Sequence, residues 1–105
     1  MAWSGRPFQA ASSASGTGDV QLVAAQAGLR LHGWSVREDA GTPAAAELEL
    51  HNGTDTNGQV IGAVTLPASG SQAVFAHQGI TCPGGIFLNR ISGTTVVVVY
   101  YTVEP

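Results

Sequence analysis

Lysine is missing from this chain. Its positive charge rests on Arg6, Arg30, Arg37 and Arg90, scattered against seven acidic residues, for a formal net charge of −3. Proteins that neutralise phosphates need clustered Lys and Arg, so nucleic acid is not an expected partner. Charged residues of both signs make up only 10% of the chain, where about 25% is usual. A soluble monomer covers itself with charge. A chain this poor in charge is expected to hide surface against other subunits. The single cysteine, Cys82, cannot close an intrachain disulfide, which fits a reducing compartment or an assembly that does without such bonds. There is no P-loop, dinucleotide fingerprint or Cys-x-x-Cys pair. The longest strongly apolar run, Val96 to Tyr101, is too short to cross a bilayer, and residues 1–18 lack the apolar stretch of a signal peptide. No membrane partner is expected.

What is present is a succession of short β-type runs. The 105 residues suit one domain. Residues 1–18 read as an extended N-terminal arm and residues 19–105 as the folded domain. Ala10 to Gly18 is small and polar, without a period, and such composition does not offset its own ordering entropy. Yet Trp3, Pro7 and Phe8 stand at its start. Large apolar groups on an arm dock either on a partner or back onto their own domain. From Val20 onward, runs rich in Val, Leu and Ile are separated by Gly, Pro and Asn turns. In Leu29 to Glu38 the apolar phase slips by one across Gly33, from Leu29 and Leu31 to Trp34 and Val36, which predicts a β-bulge. Ala44 to His51 alternates cleanly, with Ala46, Leu48 and Leu50 to one face and Glu47, Glu49 and His51 to the other. Gln59 to Leu66, Gln72 to His77, Ile86 to Ile91 and Thr94 to Val103 follow. The last run is apolar on both faces, which predicts a central strand with an outer covering. No stretch of ten residues has a helical period. The predicted class is all-β, an antiparallel β-sandwich of jelly-roll-like type with about seven or eight strands.

Candidates for chemistry are few. Glu47, Glu49 and His51 share one strand face and read either as a solvated acidic face or as part of a metal site shared between copies. His32 and His77 read as hydrogen-bonded surface or interface residues, and Cys82 as a structural thiol without a base beside it. Asn52-Gly53-Thr54 reads as an Asn-Gly turn. No enzyme, catalytic residue, metal or cofactor is expected. A cupin-like metal enzyme needs several His on facing strands, and His32, His51 and His77 are all there are.

Over residues 18–103 the order of motifs does resemble something. Gly18-Asp-Val-Gln-Leu-Val-Ala-Ala-Gln-Ala-Gly28 is followed by the bulged strand and by Glu-Leu-His-Asn-Gly-Thr54. Then come Val64-Thr-Leu-Pro-Ala68, Gly79-Ile80, Gly84-Gly85-Ile-Phe-Leu-Asn89, Ser92-Gly93 and Val96 to Tyr101. This series is similar to the small β-sandwich proteins encoded among the structural genes of tailed phages. The resemblance implies a non-enzymatic virion structural protein made in the host cytoplasm. It would be a capsid decoration or cement (minor capsid) protein that binds the major capsid protein on the capsid surface. The group commonly forms trimers, so a homotrimer is expected. Other members are tail- or fibre-associated, which leaves a receptor- or carbohydrate-binding module as the alternative. On the leading reading, Trp3, Arg6, Pro7 and Phe8 form a shell- or partner-binding arm. Trp34, Ile91, Val96, Val98 and Tyr100 are then expected at the subunit contact.

Overall fold

The structure is a computed structural model that describes residues 10–104, apart from the side chain of His77. Among these residues eight strands form and no helix does: β1 (Ala10–Gly16), β2 (Val20–Val23), β3 (Leu29–Glu38), β4 (Ala46–Asn52), β5 (Gln59–Leu66), β6 (Ser71–Thr81), β7 (Ile86–Ser92) and β8 (Thr95–Val103). They pair antiparallel in two four-stranded sheets. Sheet A has the order β1-β8-β3-β6 and sheet B the order β2-β7-β4-β5. The pairs β1/β8, β2/β7, β3/β6 and β4/β5 nest inside one another, as when one long hairpin is wrapped into two layers. The fold is therefore a jelly-roll-like β-sandwich.

The core is what the period-two pattern demands. Leu29, Leu31, Val97 and Val99 of sheet A face Leu48, Leu50, Ile86 and Leu88 of sheet B, all with essentially no exposure. Trp34 crosses the gap. A Cβ added to Gly62 in β5 would stand 2.8 Å from its ring, so only glycine leaves room for the indole. The bulge expected at Gly33 is present, since the register of β3 shifts between Leu31 and Gly33 against both β6 and β8. His32 is the extra residue, and it lets Leu31 and Trp34 enter the same core. On the β6 side the interruption is wider: Leu31 pairs with Ile80 but Gly33 with Phe75. The strand resumes beyond it, so residues 78–81 belong to β6 where sequence reading expects a loop. Gly79 supplies the positive φ of 80° that this detour requires.

The N-terminal boundary also needs correction. Residues 10–16 are not part of an arm but form β1, which pairs with β8 from Ala10↔Tyr101 to Gly16↔Thr95. Alanine and serine carry no hydrophobic period, so their side chains do not announce a strand. The order comes from the backbone ladder and from Arg90. Trp3, Arg6, Pro7 and Phe8 lie outside the described residues.

Arg90 is buried, at 8% exposure, and has no carboxylate on its guanidinium. It donates instead to Thr95 Oγ1 (2.9 Å), Thr95 O (3.0 Å), Ala14 O (3.0 Å) and Gly18 O (2.6 Å). Its backbone N–H donates to Asp19 Oδ1 at 2.8 Å. Burial lowers its pKa and the nearby Asp19 charge opposes that shift, but an arginine stays protonated. On β3, across from Thr95, Glu38 caps two turns. Ser69 N–H donates to its Oε1 at 2.7 Å, and Ala40 N–H donates to Oε2. Ser69 holds a φ of 60°, rare for a residue with a side chain, and Glu38 fixes it there. These N–H groups hold the Glu38 carboxyl below the usual carboxylate range.

Two outcomes follow from these contacts. Arg90→Met removes the charge but strands three carbonyls, and should lower unfolding stability by about 3 kcal/mol. Urea titration would read this, and a loss under about 0.5 kcal/mol would show the clamp to be dispensable. For Glu38 the folded pKa lies below the unfolded one. Its contribution is present above the unfolded value of 4.5 and fades as pH falls through the folded value. Glu38→Gln should therefore be less stable than wild type at neutral pH, with the gap closing in acid. Urea midpoints measured against pH check the sign.

Candidate functional site

The acidic face expected from Glu47, Glu49 and His51 is the outer face of sheet B. His51 is buried, at 3% exposure, because Phe87 and Val60 are its cross-strand neighbours. Its Nδ1 lies 2.8 Å from Gly58 O and its Nε2 lies 3.2 Å from Glu49 Oε1. These contacts fasten the Asn52–Gly58 loop. Asp55 Oδ1 accepts from Asn57 N–H within the same loop, and Asn52 Oδ1 accepts from Gly84 N–H. Among the described residues no group of three or more His, Cys, Asp or Glu is placed to hold a metal. Cys82 is fully buried and burial pushes its thiol pKa up, which disfavours the thiolate a nucleophile needs. His32 Nε2 lies 2.9 Å from Thr102 Oγ1, and its ring lies over Gly79. His77 was singled out as well, but its side chain lies outside the described residues.

The outer face of sheet A has a different character. Register places Ser13 beside Val98, Val98 beside Ser35, and Ser35 beside Ala73. Ala11 and Tyr100 stand on one flank of this row, and Val96 and Arg37 on the other. Small side chains on β3 and β6 leave a shallow groove of about 350 Å³ between Val96, Val98, Ser35 and Ala73. Further along the same face, past Ser35, stand two rings. Phe75 is 66% exposed, and its ring covers Gly33 and meets Tyr100 at a centroid distance of 5.5 Å. Tyr100 Oη lies 3.3 Å from Ser35 Oγ. One end of the groove carries Arg37, held 3.6 Å from Asp39. Between Arg37 and the ring pair this face presents alanine, valine and serine; its charges stand at the two ends, Arg37 at one and Arg30, paired with Glu104, at the other.

No known protein family matches the chain, and no curated protein does. Among solved structures it is similar to a chain of the cyanophage Pam1 capsid asymmetric unit, at 14% identity and a TM-score of 0.38. That likeness covers 95% of this chain and 88% of the other, and is too loose to bear on function.

The five residues expected at a subunit contact fall in three places. Val96, Val98 and Tyr100 share the outer face of sheet A, half-buried. Ile91 is 49% exposed but stands in β7, on the opposite sheet. Trp34 is inside the sandwich, at 7% exposure, because the bulge turns it inward, so it is not available to a partner. Sequence reading passed over Phe75. A strand position beside alanines gives no sign that its ring will lie across a glycine on the neighbouring strand. A second signal was open to inspection: no formally charged residue stands between Asp55 and Arg90.

The ring pair separates two kinds of substitution. Phe75→Ser changes an exposed side chain and should cost under about 1 kcal/mol. Gly33→Ala places a Cβ 2.5 Å from Val74 O and 2.6 Å from the Phe75 ring. The backbone contact cannot be relieved by rotating a side chain, so the loss should be about 1–3 kcal/mol. Thermal melts of the two variants compare them directly.

Proposed function

We propose that this chain is a non-enzymatic structural protein of a virion, a decoration or minor capsid protein that attaches to the outer shell as an oligomer. The observation that carries the reading is the outer face of sheet A. It is a broad, nearly uncharged surface of small and aromatic side chains on a rigid sheet, suited to burial against another protein. The major capsid protein and further copies of this chain are its proposed partners, and a homotrimer seated on the shell is the assembly that the sequence resemblance favours. The jelly-roll-like fold hosts viral capsid and lectin domains alike, so the fold does not choose between them. A sugar site wants an exposed ring with polar partners around it, whereas Tyr100 packs on Phe75 and the loop Asn52–Gly58 has no ring.

The reading is tested by purified particles carrying either the wild-type chain or Val98→Lys. Wild type is expected in many copies per shell, and Val98→Lys, which puts a charge in the middle of the neutral face, should cut occupancy by about tenfold or more. Absence of the chain from shells, together with binding to immobilised glycans, would transfer it to the receptor-binding class.

A further inference from the structure

Each sheet of the sandwich has two edges, and the four edges are treated unequally. On one side β1 and β2 are covered. Ser12 Oγ donates to Leu22 O, Arg90 donates to Ala14 O, and β2 is only four residues long. On the other side β6 ends sheet A and β5 ends sheet B, next to one another. Among the described residues no side chain is hydrogen-bonded to the main chain of residues 59–66 or 71–75. Natural sheets blunt open edges with lysine, proline or an inward-pointing charge. Neither Gln59–Leu66 nor Ser71–Thr81 contains proline or a formally charged residue. Of the four exposed large hydrophobic residues among the described residues, Val60, Val74 and Phe75 lie on these two strands. Val74 and Phe75 are successive, so the β6 edge is apolar on both of its faces.

We infer that a second copy of this chain docks on this side, its β6 pairing antiparallel with the β6 of the first copy across a two-fold axis. Charge decides the occupant. The chain is acidic, and two copies repel wherever their carboxylates meet. The β5–β6 side is where neutral surface meets neutral surface, whereas a charged partner would leave its charges desolvated and unpaired there. Geometry agrees. A two-fold axis normal to the sheets sets β6 against β6 and β5 against β5 in antiparallel sense, and such a contact is self-complementary. The regular part of β6 facing β3 is Ser71–Phe75, so the axis passes near Ala73. This contact uses a sheet edge and its backbone, borders the outer face of sheet A at Ala73 and Phe75, and does not rest on the virion reading.

Sedimentation equilibrium of the full chain, free of any shell, tests it. Wild type should associate in steps of two. Val74→Lys and Val60→Lys should each weaken that association by more than about tenfold, while Ala24→Lys, exposed just past β2 on the far side, should leave it in place. Ala73→Cys should cross-link to itself on oxidation and Ser13→Cys, on the far edge, should not. The cross-link reads the contact even if a lysine variant folds poorly. A wild type that stays monomeric would overturn the inference, as would a closed trimer with no Ala73→Cys cross-link. It would equally be overturned if association survived Val74→Lys but disappeared on deletion of residues 1–9.

Discussion

A single guanidinium holds the two sheets together at one end of this sandwich. Arg90 lies in β7, yet its partners are Ala14 in β1, Gly18 in the turn to β2, and Thr95 at the start of β8. It therefore ties two crossings between the sheets, β1 to β2 and β7 to β8. A buried charge with one donor left bare is expensive, and a buried carbonyl without a donor nearly so. Satisfying both at once removes the penalty only in one arrangement of the corner. That is why the arginine specifies geometry as well as adding stability. β1 depends on it most, because alanine and serine offer little area to bury.

The same economy of charge divides the surface. Glu38 spends its carboxylate on two turn N–H groups, and Glu49 lies against His51. The pairs Arg30–Glu104 and Arg37–Asp39 are exposed, at 3.1 and 3.6 Å, and such pairs contribute little to stability. Most of the few ionised groups thus fasten corners and loops; Glu47 and Glu49 lie on the outer face of sheet B, and the middle of the outer face of sheet A is left to small neutral side chains. A surface of that kind gains free energy from being covered. The groove over Ser35 and Ala73 and the open β5–β6 side are two such regions.

Much of the fold was legible because its signals are local. Ala46 to Leu50 alternates, and the structure buries the residues the alternation selects. The slip across Gly33 located the bulge to within one residue. The strand β1 was not legible, since seven small residues carry no period and are ordered only by β8 and Arg90, far along the chain. The candidate surface was read in part. Val96, Val98 and Tyr100 are on one face as their spacing requires, while Ile91 and Trp34 are not with them, because apolar character alone does not say which of two sheets, or which side of one, a residue will occupy.

The sequence by itself determined the class of fold, the strands with a strong period and the scarcity of charge, all of which depend on neighbours in the chain and on composition. Only the tertiary structure decided which strands sit side by side, which edges are left open, and that Phe75 and Tyr100, far apart in sequence, meet over a glycine. Strand pairing in a nested hairpin joins residues as distant as Ala10 and Tyr101. Backbone hydrogen bonds are the same for every residue but proline, so side-chain pattern marks a strand without naming its partner.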